Sequence, residues 1–188
     1  TRRELDANTT HSAFNQLIEN QKENKFATVV YHNEYNKGVF GIVASRLTEV
    51  NYNPTVVLTD GNNGEMVASA RSVSDFDVHE ALEACSEYFL KFGGHQAAAG
   101  LSMEKDKFEA FKEKFEKVVA EKIQEHQKFP SITIDSVIEI EDLNRDFFNF
   151  HRKLSPFGPH NMKPVLELRN QKVSGYVKQM GKDGNHLK

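Results

Sequence analysis

Cysteine occurs once, at Cys85, so the chain has neither the pair needed for an internal disulfide nor a cysteine-based zinc site of its own. A reducing compartment, the cytoplasm, is the expectation, and the glycosylation pattern Asn8-Thr9-Thr10 carries no weight there. No run approaches the roughly 18 consecutive apolar residues of a membrane span. The first segment, TRRELDANTT, lacks the apolar core of a signal peptide, so no membrane partner is expected. Charge of one sign is also missing. Lys+Arg 24 against Asp+Glu 27 leaves −3, which excludes a surface-wide electrostatic footprint for nucleic acid, and any anion has to be met by a local positive cluster. The eight histidines form no HxxxH or HExxH, and no serine sits in a G-x-S-x-G elbow, so no complete hydrolytic site is written in the chain. No internal repeat is present, which excludes a solenoid.

What is present is a globular composition. With 38% hydrophobic and 27% charged residues, 188 residues are enough for one good core or two modest ones. Phe14, Leu17 and Ile18 predict an amphipathic helix over roughly Arg3 to Lys22. Ala27 to Tyr31 reads as a buried strand, Gly38 to Glu49 as a helix, and Pro54 to Thr59 and Met66 to Ser72 as two strands of a hairpin turned at Asp60 to Gly64. Asp77, three residues before Glu80, marks a helix start, and Val78, Leu82, Cys85, Phe89 and Leu90 predict that this helix runs on to Gly93-Gly94. Phe108, Phe111, Phe115, Val118 and Val119 give one apolar face to a helix from about Glu104 to His126. The fold class is therefore α/β (α+β), a mixed β-sheet flanked by helices.

Past Phe129-Pro130 the texture changes, and a domain boundary is expected near residue 128. Ile132 to Ile140 marks a strand, Leu143 to Leu154 a short Phe-rich helix, and Val165 to Met180 with the turn Gly181 to Gly184 a β-rich stretch. The chain opens on Thr1 and carries Arg2-Arg3 at once, which suggests a piece of a longer protein.

Two clusters carry chemistry suited to phosphate. In Ser69-Ala70-Arg71-Ser72, strand alternation puts Ser69 and Arg71 on one face and Ala70 and Ser72 on the other, and a guanidinium beside a hydroxyl is a sensible phosphate clamp. An exposed strand end explains the same residues equally well. Phe92 to Gly100 surrounds His95 with glycine and alanine, either a concave anion nest or a helix C-cap followed by a tightly packed strand. Asp75-Phe76-Asp77 looks like a metal pair, yet Asp77 is already a helix cap, and no metal ligands are assigned. Gly175 to Lys182 has glycine spacing one residue too long for a phosphate loop. Cys85 reads as a buried thiol. Leu154 to Asn161 is a rigid two-proline loop, structural or offering Phe157 to a base.

Taken in order, Gly38 to Leu47, Ser69 to Ser72, Gly93-Gly94-His95 with Ala98-Ala99-Gly100, and Pro156 to Pro159 with Asn161 and Pro164 resemble the RecJ family of bacterial single-strand-specific 5′ to 3′ exonucleases, in the DHH phosphoesterase superfamily. The resemblance implies that residues 1–23 are a connecting helix from a catalytic domain absent here. By the same resemblance, 24–127 are the DHH-associated substrate-binding domain and 128–188 part of an OB-like domain for single-stranded DNA. Substrate-binding residues by resemblance are Ser69, Arg71, Ser72, Gly93, Gly94 and His95, with Arg2 and Arg3. They would hold a DNA 5′ end against Mn2+ or Mg2+ bound by the absent domain, and catalytic residues in this chain are none. Tyr35-Asn36 stands where the family usually carries Trp-His, and Ala68 where glycine is common. The alternatives are an oligoribonuclease or cyclic-dinucleotide phosphodiesterase, or a non-catalytic nucleic-acid-binding module. The expected outcome for the purified chain is no nuclease activity; metal-dependent nucleotide release abolished by Arg71→Ala would overturn it.

Overall fold

A computed structural model describes residues 26–33, 38, 40–62, 64–172, 175, 177–181 and 186–187. The expected helix over 3–22, Arg2, Arg3, Tyr35-Asn36 and the turn residues 182–184 lie outside the described residues. The chain divides into two compact units, Thr1–Ser131 and Ile132–Lys188.

In the first unit, β1 (Thr28–Tyr31) and β2 (Thr55–Asp60) are β-branched and buried, and they pair in parallel from Thr28↔Thr55 to Tyr31↔Leu58. A parallel pair needs a crossover, and α1 (Phe40–Asn51) lies between the two strands in sequence. Strand β3 (Glu65–Arg71) returns antiparallel to β2 through a turn in which Gly64 takes φ +77°, a left-handed conformation that glycine adopts without strain. Strands β4 (Phe89–His95) and β5 (Ala98–Glu104) form a second hairpin, and the sheet order is β1-β2-β3-β5-β4. This is the mixed sheet flanked by helices that the sequence implies.

Alternation divides the apolar side chains between two faces. Val30 and Val57 meet Val43, Ala44 and Leu47 of α1 on one face. On the other, Val56, Leu58, Met66, Ala68 and Ala70 meet α2 (Val78–Glu83) and α3 (Phe108–Lys122), with Phe111 and Phe115 fully buried. One carboxylate pins the chain entry: Glu116 of α3 accepts from the backbone N–H of Phe26 at 2.9 Å and of Ala27 at 2.8 Å. Cys85 is buried, and desolvation pushes its thiol up to about 11, so it stays protonated and inert.

The helix expected to run from Asp77 to Gly93 stops at Glu83. Asp77 caps it as expected, accepting from the Glu80 N–H at 2.9 Å. After a turn of 3-10 helix at Ser86–Tyr88, however, the chain becomes strand β4. The misleading signal has a physical origin. Val78, Leu82, Cys85 and Phe89 recur at helical spacing, yet Phe89 begins a strand in which a bulge between Phe89 and Lys91 leaves Leu90 unpaired and lets both Phe89 and Phe92 pack on the core. Gly93 and Gly94 therefore lie inside a strand, and neither the helix C-cap nor the anion nest after a helix forms.

In the second unit, β6 (Ser136–Ile138) pairs in parallel with β7 (Leu166–Leu168), and Asp135 and Val165 exchange hydrogen bonds beside them. Asn144 caps α4 (Arg145–Lys153), accepting from the N–H groups of Asp146 and Phe147 at 3.0 Å each. Short strands β8 (Gln179–Met180) and β9 (His186–Leu187) pair antiparallel. Asn161 Nδ2 donates to the carbonyls of Leu154 and Pro156, and the Phe157 ring lies 5.2 Å from that of His151, so the two-proline loop is internally braced. Among the described residues no helix is long and apolar enough to cross a membrane.

Glu116→Ala leaves two N–H groups without their acceptor and is expected to lower stability by about 1–3 kcal/mol, with Glu116→Gln costing less, as read from urea midpoints at unchanged m-value.

Candidate functional site

The end of β3 holds Arg71 between the sheet and α1. Its Nε donates to Ser45 Oγ at 3.2 Å, and its Nη1 donates to Ser69 Oγ and to the Ala70 carbonyl, each at 2.8 Å. Ser45 Oγ in turn donates to the Gly41 carbonyl at 3.2 Å. Nη2 lies 2.9 Å from where a Cβ on Gly41 would stand, so the missing side chain makes room for the guanidinium at the first turn of α1.

The electrostatics follow from this packing. Arg71 is half-buried, and desolvation alone draws its pKa below the ordinary arginine value, with no acid among the causes. A guanidinium nevertheless stays protonated. The N–H bonds of Nη2 have no hydrogen-bond partner among the described residues. The first turn of α1 carries no acidic residue, so the positive end of the helix dipole lies beside Arg71. A guanidinium edge with a hydroxyl beside it can donate to an anion with two or more oxygens.

Register locates the other expected residues. Arg71 stands opposite Ala98, and Ala98 opposite His95; Ser69 stands opposite Gly100, and Gly100 opposite Gly93. Directly opposed residues share a face, so His95 and Gly93 lie on the face of Arg71 and Ser69, two strand spacings or about 10 Å away. Ser72 is not brought into the cluster: its hydroxyl donates to the Phe76 carbonyl at 2.6 Å and braces the loop before α2. Gly94 faces the opposite side, where a Cβ would stand 2.5 Å from the Ala98 oxygen and the Ala99 Cα. Its role is to let β4 lie close on β5. Arg2 and Arg3 lie outside the described residues. Gly41 and Ser45 are the members that the sequence reading of the site missed. Their signal was an i, i+4 pair within Gly38 to Leu47, one helical face, but the strand they face was not knowable.

With this geometry in place, the comparisons with known proteins are decisive. A family model of the DHHA1 domain matches residues 23–121. The chain belongs to the DHHA1 domain family. Residues 134–188 match the RecJ OB domain. The chain is 31% identical over 174 residues to the single-stranded-DNA-specific exonuclease RecJ of Bacillus subtilis (strain 168), covering 92% of this chain and 22% of that protein. With the protein of the same name from Escherichia coli (strain K12) it shares 30% over 142 residues, 73% of this chain and 25% of that one. The crystal structure of RecJ in complex with Mn2+ from Thermus thermophilus matches with a TM-score of 0.70 at 27% identity, covering 89% of this chain and 24% of that chain. The chain thus spans about a quarter of the length of these relatives.

Solved RecJ structures contain Mn2+ or Mg2+. The residues here do not fit such an ion: among the described residues no group of three or more His, Cys, Asp or Glu gathers. The donors of this DHHA1 domain are hydroxyls and a guanidinium, which suit an anion, and no hydrolytic step is derived from them.

Gly93→Ala meets no atom within 4 Å of its new Cβ, whereas Gly94→Ala meets backbone. Gly93→Ala is expected to change stability by less than about 1 kcal/mol and Gly94→Ala to cost about 2 kcal/mol or more, compared by chemical unfolding.

Proposed function

We propose that this chain is the substrate-binding C-terminal part of a single-stranded-DNA-specific 5′ to 3′ exonuclease of DNA recombination and repair, working in the cytoplasm. Arg71 and Ser69, braced by Ser45, take the phosphate at the DNA 5′ end. His95 closes the site from across β5, and Gly93 leaves the intervening sheet surface open. The observation that carries this reading is the half-buried Arg71, fixed by three hydrogen bonds and with Nη2 and, among the described residues, no carboxylate facing the remaining space. A bidentate arginine with an adjacent hydroxyl recognises a phosphate rather than a general negative field, which suits a chain whose net charge is −3.

In this reading residues 24–127 grip the substrate, 128–188 guide the single strand, and 1–23 lead to a DHH catalytic domain whose carboxylates hold Mn2+ or Mg2+. The divalent metal supplies the activated water, and this chain positions the phosphodiester. The RecJ OB domain match at 134–188 favours long single strands over dinucleotide substrates.

The test is binding of a labelled single-stranded oligonucleotide with a 5′-phosphate against the same strand with a 5′-hydroxyl. The expected outcome is a phosphate preference that Arg71→Ala reduces by roughly tenfold or more, the worth of charge-assisted hydrogen bonds of about 1.5–3 kcal/mol. Equal binding by both strands, unchanged in Arg71→Ala, would overturn the assignment.

A further inference from the structure

Among the described residues the α1-bearing face of the sheet is only partly covered. Helix α1 packs on β2 and β3, and the same face of β5 and β4 continues beyond it as an open cleft of about 370 Å3 lined by Glu65, Val67, Lys91, Gly93, Gly100 and Ser102. The register makes this cleft continuous with the arginine site. Ser69, Gly100 and Gly93 form one row across β3, β5 and β4, and Val67, Ser102 and Lys91 form the next. Val67 lies four residue steps from Arg71 along β3, a span of about 13 Å.

Three features give the cleft a ligand chemistry. Its floor beside Ser69 is a cross-strand glycine pair: a Cβ on Gly93 would have no neighbour within 4 Å and one on Gly100 only the Ala68 oxygen at 3.7 Å, so backbone is laid open where side chains would fit. Ser102 is 6% exposed, and its hydroxyl has no hydrogen-bond partner among the described residues, a state in which a buried polar group calls for a ligand or water oxygen. Lys91 is exposed and has no ion-pair partner among the described residues. Glu65, opposite Glu104, closes the far end with negative charge.

We propose that this cleft is a second subsite of the DHHA1 domain, taking the sugar-phosphate of the nucleotide that follows the one held at Arg71. Lys91 meets the phosphate, the Ser102 hydroxyl meets a sugar or phosphate oxygen, and the glycine pair lets the strand lie flat on the sheet. The carboxylates of Glu65 and Glu104 end the track on this face after that nucleotide by repelling a further phosphate. The proposal rests on the reading of Arg71 as a phosphate clamp.

The test titrates the isotopically labelled chain with thymidine 5′-monophosphate and with the 5′-phosphorylated dinucleotide pdTpdT, following amide shifts. The dinucleotide is expected to bind roughly tenfold more tightly than the monophosphate and alone to move Gly93, Gly100 and Ser102. Lys91→Gln and Gly100→Val should each shrink that ratio to about twofold or less with monophosphate affinity unchanged. Gly100→Val places a β-branched residue in a strand with space above it, so the fold is retained, as dispersed amide shifts would verify. Arg71→Ala should weaken both ligands. An undiminished ratio in both cleft variants, or a cleft that does not respond to the dinucleotide, overturns the second subsite and leaves the clamp standing. Binding indifferent to Arg71→Ala, or no binding of either ligand by the unmodified chain, overturns both.

Discussion

The strict alternation of β3 is the constraint on which the rest of this structure depends. The strand is hydrogen-bonded along both edges, to β2 and to β5, and it cannot slip by one residue without turning Arg71 and Ser69 into the apolar core and Ala68 and Ala70 out of it. Burying an unpaired guanidinium is far costlier than exposing an alanine, so register and site are specified together. The small residues at 68 and 70 let α2 and α3 pack closely on one face, and the polar residues at 69 and 71 bond to each other on the other.

Two roles for glycine meet at the β4–β5 hairpin, and they have opposite signs. At Gly94 the missing side chain permits contact inside the protein, because Ala98 and Ala99 occupy the space a Cβ would need. At Gly93 and Gly100 it leaves space outside the protein, on the face shared with the clamp. Adjacent residues in one strand thus serve packing and access respectively. That division follows from the period of two and not from any property of glycine itself.

Charge is distributed unevenly in this mildly acidic chain. Several lysines on the outer surface are offset locally, as in the Lys105–Asp60, Lys114–Glu87 and Lys122–Glu80 pairs. Solvent-exposed pairs of this kind add little stability, but they cancel the far field. Arg71 is held instead by neutral hydroxyl and carbonyl oxygens, which orient the guanidinium without neutralising it. The positive charge of Arg71 is therefore local and directional.

The amino-acid sequence by itself determined β1 to β3, the turn between β2 and β3, the apolar stripe of α3, the Asp77 cap and the face shared by Ser69 and Arg71. All of these rest on local periodicity or on side chains bonding to nearby backbone. It also carried, in the order of four short segments, the resemblance that the DHHA1 and RecJ OB domain matches bear out. Tertiary structure alone decided the rest. Phe89 and Leu90 read as helical because Phe89 continues the spacing of Val78, Leu82 and Cys85, and only pairing with β5 shows that this segment is a strand. Gly41 and Ser45 join the site because a crossover helix lands on β3, and Ser72 leaves it because the Phe76 carbonyl claims its hydroxyl. Which strand lies beside which is set by contacts between residues far apart in the chain, and no local pattern encodes them.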